Sequence, residues 1–255
     1  MADAEHLLSR SLAEQARVRL AACAPAGLSA DHWTAARFLN AMGIALRDTG
    51  NSADALSVFG RLRAHATTMG AVDVSARATM NMVVCLMNAG RWRQATNLLA
   101  HARSVVHDLD DPALRVEALF WTARVLETRG ADSAALALAR RRVLSASTAV
   151  EHQELRIARH VFVARLALNQ TTIEWDQAQR SLDEAWGLLE PSTCVLRRGQ
   201  LLTTQALFDL RRGARGEAEQ RFGEAQSVFA TGGIVTPHAK SLRRELRLTG
   251  NERTR

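Results

Sequence analysis

Apolar residues recur along the chain at three- and four-residue spacing, in helix-length blocks separated by short polar stretches that contain glycine. Leu39, Ala41, Met42 and Leu46 precede Asp48-Thr49-Gly50-Asn51, and Ala55, Val58, Phe59 and Leu62 follow it. The plan then repeats: Thr79, Met80, Met82 and Val83, the turn Asn88-Ala89-Gly90-Arg91, then Ala95, Leu98 and Leu99. Such spacing predicts amphipathic helices, and the glycines mark the turns between them. Gly50, Gly90 and Gly130 stand 40 residues apart, and a fixed period of this size predicts a helical-repeat array.

Read in order, the chain is expected to form one domain, 1–255, all-α throughout. An N-terminal helix lies within 1–27, with its apolar positions over 3–22 and a stop at Ala24-Pro25-Ala26-Gly27. Five helix pairs follow at 31–70, 73–109, 112–147, 151–190 and 194–231, and a polar capping helix closes the array at 234–250. Asp31, or Ser29 as the alternative, caps the first helix of the first pair, and Asn51-Ser52 opens its second. Asp110-Asp111-Pro112 opens the third pair, with proline in the first turn, where its missing N–H costs nothing. The turn Asn169-Gln170-Thr171-Thr172-Ile173 is about three residues longer than the others, after which Trp175 stands to Ala178 as Trp92 stands to Ala95. The N-terminal helix is read as either a terminal cap or, preferably, the second half of a truncated pair. In the latter case its unpartnered apolar face would favour a homodimer.

Composition narrows the class. With 47% hydrophobic and 23% charged residues the chain falls among soluble globular proteins. It has no apolar run of the roughly 18 to 20 residues that a membrane span needs, and the acidic start Met1-Ala2-Asp3-Ala4-Glu5 lacks the basic opening of a secretory signal. A cytoplasmic location and no membrane partner are the expectations. Cys23, Cys85 and Cys194 are odd in number and scattered, so free thiols are expected rather than a disulfide framework or a zinc site. The net charge of +7 and pI of 10.9 rest on arginine, with Lys240 the single lysine and no tyrosine. This is what a GC-rich coding bias produces, and it weakens charge as an argument for nucleic acid.

On these residues the chain resembles the tetratricopeptide repeat (TPR) family. That family puts a small residue on the first helix of each pair, glycine at the turn, and alanine, a large apolar residue and alanine along the second. Leu39, Gly43, Gly50, Ala55 and Phe59 match it in the first pair; Val83, Gly90, Ala95, Leu99 and Ala102 in the second; Ala206, Gly213, Ala218, Phe222 and Ala225 in the fifth. The period is 40 residues rather than the family's usual 34. Leucine replaces the family's first-helix tyrosine at Leu46, Leu86, Leu126 and Leu210. Such extended repeats are similar to the sensor and partner-binding arms of bacterial transcriptional activators of the maltose-regulator type. The resemblance implies a right-handed α-solenoid, or superhelix, of antiparallel helix pairs, with a partner lying in a concave groove lined by the first helix of each pair.

Counting back from the turn glycines places Arg37, Asn40, Arg47, Arg77, Met80, Met87, Phe120 and Arg124 in that groove, with Asn81 beside them as a hydrogen-bonding candidate and Trp121 as a further aromatic. The arginine forks suit carboxylates or phosphates, asparagine suits a peptide backbone, and methionine adapts its shape to a partner. The competing expectation is that these arginines pair within the array, for instance with Glu117 or Glu127. No HExxH, GxGxxG, GxxxxGK[ST] or GxSxG motif occurs, so no catalytic residue, metal or cofactor is expected. The favoured function is a non-enzymatic scaffold or adaptor that holds a protein or peptide in a bacterial regulatory system. A small-ligand or signal-peptide sensor is the alternative, and nucleic-acid binding through Arg140-Arg141-Arg142 or Arg243, Arg244 and Arg247 is the third. Neither helix-turn-helix nor NTPase segment is recognisable, so a stand-alone adaptor and an arm of a larger switch protein fit equally well.

Overall fold

A computed structural model describes residues 2–9, 12–28, 31–109, 111–130, 133–146, 153–170, 172–190, 194–236, 239 and 242–246. Among them the regular structure is entirely helical: α1 (Ala2–Ser9), α2 (Ala13–Leu28), α3 (His32–Asp48), α4 (Ser52–Thr68), α5 (Val72–Asn88), α6 (Trp92–His107), α7 (Pro112–Thr128), α8 (Ser133–Ala146), α9 (Gln153–Leu168), α10 (Trp175–Gly187), α11 (Val195–Arg211) and α12 (Arg215–Gly232). Residues 242–246 are also helical. The expected capping helix over 234–250 otherwise falls largely outside the described residues. Consecutive helices pack in pairs, α3 on α4, α5 on α6, α7 on α8, α9 on α10 and α11 on α12. The chain divides into two compact units, Met1–Val150 and Glu151–Arg255.

The turns explain the period. After α3, α5, α7 and α11 the chain reverses through Gly50, Gly90, Gly130 and Gly213, with φ of 87°, 72°, 68° and 83°, a left-handed conformation that costs glycine little. The Asn51 N–H then donates to the Leu46 carbonyl at 2.8 Å and the Arg91 N–H to Leu86 at 2.8 Å. This closes the helix ends as a Schellman turn. Where no such glycine stands, between α9 and α10, six residues join the helices instead of the three between α3 and α4. At the other ends, the Asp31 carboxylate accepts from the Trp33 and Thr34 N–H groups at 3.0 and 3.1 Å, and Asp111 accepts from Leu114 at 2.9 Å. These satisfy N–H groups that the helix itself leaves without partners.

One buried stripe serves the second helix of four pairs. Ala55, Phe59, Leu62 and Ala66 on α4 correspond to Ala95, Leu99, Ala102 and Val106 on α6. Ala178, Leu182 and Ala185 on α10, and Ala218, Phe222, Ala225 and Phe229 on α12, keep the same register. The alanines let backbones approach and the large member fills the space between them. At Gly43 the fit is close enough that a Cβ would stand 2.6 Å from the Phe59 ring, so the absent side chain of one helix makes room for the ring of the next.

The N-terminal segment differs from expectation. In place of one helix over 3–22 it forms two, α1 and α2, packed on each other, with α2 also against α3. It is a short pair in itself rather than a lone half. Leu7, Leu8 and Leu12 keep helical spacing across the break, so apolar period alone does not register it. The expected stop at Pro25 and Gly27 lies within α2, which runs on to Leu28.

Candidate functional site

The first helices of successive pairs lie side by side in the Met1–Val150 unit, α3 against α1 and α5, and α5 against α7. Their apolar stripes are covered by the second helices on both sides, α3 by α2 and α4 and α5 by α4 and α6, and polar positions remain on a shared face. Arginine–carboxylate pairs cross this face. Arg37 on α3 donates through Nε and Nη2 to the two carboxylate oxygens of Glu5 on α1, at 3.0 and 2.6 Å. Arg47 near the end of α3 donates to Asp48 at 2.7 Å and across to the Asn81 carbonyl oxygen on α5 at 2.6 Å. Arg77 on α5 pairs with Asp111, the residue that also caps α7. On α7 the Trp121 indole N–H donates to Glu117 at 3.3 Å, and Arg124 pairs with Glu127 at 2.7 Å.

The pairs differ in how far water reaches them. Arg37 and Arg77 keep 62% and 49% of their side chains exposed, so one edge of each guanidinium is held and the remainder faces solvent. Arg124 and Glu127 are 11% and 12% exposed. Burial pulls the Arg124 guanidinium down from its ordinary range, and Glu127 opposes this without overcoming it. Burial pulls Arg47 in the same direction, but the charge and hydrogen bond of Asp48, helped by Cys85 and Glu117, outweigh it and hold the group above its ordinary value. The Cys85 thiol beneath is pushed up to about 11, mainly by burial, which makes it a poor nucleophile at neutral pH.

The residues expected in a groove therefore fall into three groups. Arg37, Arg47, Arg77, Asn81 and Arg124 lie on the shared polar face, with Asn40 and Phe120 half-buried on α3 and α7. Trp121 meets Phe120 edge-on, their ring centroids 5.1 Å apart. Met80 and Met87 do not lie open to a partner: they are 1% and 6% exposed within the core that joins α5, α6 and α7. Counting back from Gly90 put them on the correct helix, but an unbranched apolar side chain at that angle turns inward, where it fills space beside Leu99 and Val106. What sequence reasoning missed are the acids Glu5 and Asp111 that hold Arg37 and Arg77. Glu5 and Asp111 stand 32 and 34 residues from the arginines they hold, close to one repeat, and that spacing was the available signal.

A second charged surface lies on the second helices of the same unit, and it received little weight in sequence. α4, α6 and α8 together carry seven arginines and one carboxylate, Asp54. Between α4 and α6, over α5, runs a cleft of about 270 Å³ lined by Arg63, Thr67, Ser75, Ala76, Thr79, His101, Ala102 and Val105. Among the described residues there is no group of three or more His, Cys, Asp and Glu side chains able to hold a metal ion, and no helix long and apolar enough to cross a membrane. No protein-family model matches the chain, and no curated protein is significantly similar to it. The class its fold defines is an all-helical protein of consecutively packed helix pairs.

Proposed function

We propose that the chain is a right-handed solenoid of TPR-like helix pairs and works as a non-enzymatic scaffold or adaptor in a cytoplasmic regulatory system. In this reading the shared face of α1, α3, α5 and α7 forms the groove that receives an extended or helical protein segment bearing carboxylates. The observation that carries the reading is the pair Arg37 and Arg77. They occupy one register, 40 residues apart. Each is oriented by a carboxylate on one edge, and each keeps N–H groups in solvent. An exposed pair of this kind contributes roughly 0–1 kcal/mol, so a partner's carboxylate can join or replace the internal acid at small cost while the fork keeps its direction. Asn40 and Asn81 add amide groups for a peptide backbone, and Phe120 with Trp121 adds apolar surface beside them.

The test compares wild type with Arg37→Glu/Arg77→Glu as affinity baits in native lysate, at two salt concentrations and with nuclease, read by mass spectrometry. A discrete protein retained by wild type through nuclease treatment and lost by the charge-reversed bait, with helicity unchanged by circular dichroism, is the expected result. The same proteins on both baits would refute the reading.

A further inference from the structure

We infer that the face formed by α4, α6 and α8 is a binding surface for the phosphodiester backbone of a nucleic acid, distinct from the face proposed for a protein partner. The basic residues recur with the helices. Arg61, His101 and Arg141 occupy one register at 40-residue intervals, and Arg63 and Arg103 occupy another. The cleft between α4 and α6 shows what this register builds: Arg63 on one wall, His101 on the other, the hydroxyls of Thr67, Ser75 and Thr79 between them, and no carboxylate in the lining. The same positions one period on are Arg103, His107 and Arg141.

These arginines are not spent on the protein itself. Arg61, Arg63, Arg93, Arg103, Arg141 and Arg142 make no ion pair among the described residues, and all but the half-buried Arg63 are exposed. On the first-helix face, by contrast, Arg37, Arg47, Arg77 and Arg124 each hold a carboxylate. A coding bias toward arginine raises the total, but it does not leave these six without acids while Arg37, Arg47, Arg77 and Arg124 each hold one. Guanidinium forks without internal acids, repeated from helix to helix, suit a ligand whose charges also repeat along a line.

The choice of nucleic acid over an acidic protein rests on what the face lacks. A stable protein interface needs a buried apolar centre with charge at its rim. Among the described residues of α4, α6 and α8 the one large apolar side chain left exposed is Leu138. Nucleic-acid interfaces are polar and strongly basic throughout, and hydroxyls are ordinary phosphate partners. No carboxylate or amide of the cleft faces a base edge, so binding should follow backbone charge and ignore sequence.

The test uses the full chain and fluorescein-labelled oligonucleotides of unrelated sequence, as single-stranded RNA, single-stranded DNA and duplex DNA, read by anisotropy across a salt series. Wild type should bind at low salt with little sequence preference. Arg63→Ala/Arg103→Ala/Arg141→Ala should weaken binding at least about tenfold and lower the slope of log affinity against log salt by about 2 to 3, roughly one for each phosphate contact removed. Arg37→Ala/Arg77→Ala should leave both unchanged, which separates this surface from the protein-binding face. If the triple alanine variant loses helicity, the corresponding glutamine variant replaces it. Wild type that ignores all three oligonucleotides at low salt overturns the inference, and so does a triple variant that keeps the wild-type slope. A salt-labile dimer in sedimentation, abolished by the same triple substitution while oligonucleotides go unbound, would also overturn it and assign the surface to the acidic helices of a second copy.

Discussion

The second helices of the two units share a buried stripe and differ in the charge they carry. In the Met1–Val150 unit α4, α6 and α8 carry seven arginines against Asp54 alone. In the Glu151–Arg255 unit α10 and α12 carry six carboxylates against three arginines, and several are internally paired, Arg215 with Glu219 and Arg221 with the buried Asp209. The alanine and large-apolar pattern is nonetheless the same on α4, α6, α10 and α12. Packing thus fixes the pair, while the outward positions differ in charge between the units. The difference can be broken from the inside, where the units should behave alike, or sharpened on the surface, where they should not.

The largest effect is expected where they are alike. Phe59, fully buried on α4 against Gly43, and Phe222, 6% exposed on α12, stand at the same register. Truncation of either to alanine removes a ring that has no room to be replaced by collapse, and each should cost about 3–5 kcal/mol. Urea unfolding combined with native-state hydrogen exchange would read the loss in each unit. A cost under about 1 kcal/mol at one site would show that the stripe is not an equivalent core in both.

A pH effect should belong to the Met1–Val150 unit. The Cys85 thiol rises from an ordinary 9.0 to about 11, by burial first, with Asp48 adding and Arg47 opposing. Its folded value lies above its unfolded one, so the folded chain holds the proton that the unfolded chain releases. The resulting stability is fully present below about pH 9 and is lost as pH rises through about 11, a total of roughly 2–3 kcal/mol. The chain has no tyrosine and a single lysine, so few other side chains titrate there to obscure the slope. Urea midpoints between pH 8 and pH 11 should fall for wild type and flatten for Cys85→Ala; an equal slope in both would exclude this thiol as the source.

These outcomes bear on what was legible in sequence. The helix pairs were, because four of the five turns within pairs use a left-handed glycine and the second helices carry alanine where backbones touch; both leave a letter at a fixed spacing. The break between α1 and α2 was not, since Leu7, Leu8 and Leu12 keep helical phase across it. Of the candidate site, the helix on which each residue lies was readable and its direction only partly so: Met80 and Arg77 share α5, yet one is core and the other faces solvent. The acids that hold Arg37 and Arg77 lie more than thirty residues away, beyond any local pattern. The row of Arg61, Arg63, Arg93, Arg103, Arg141 and Arg142, without ion pairs among the described residues, was present in the letters but hidden in the overall charge, because pairing is a property of the fold.

The smallest effect is the one on which the proposed function rests. Arg37 and Arg77 are exposed, and their pairs with Glu5 and Asp111 should each contribute no more than about 1 kcal/mol, falling as salt rises. Arg124 is 11% exposed, and alanine there would leave the Glu127 carboxylate half-buried without its guanidinium, at about 1–3 kcal/mol. Arg47→Ala would do the same to Asp48. A double-mutant cycle between Arg77→Ala and Asp111→Asn, set beside one between Arg124→Ala and Glu127→Gln, measures the contrast directly. Coupling should be small and salt-sensitive in the first and larger and salt-insensitive in the second. That order identifies Arg37 and Arg77 as side chains the fold can release to a partner, and Arg47 and Arg124 as side chains it cannot. Equal coupling at the two sites would mean that the exposed arginines are structural as well, and would remove the basis for assigning them to recognition.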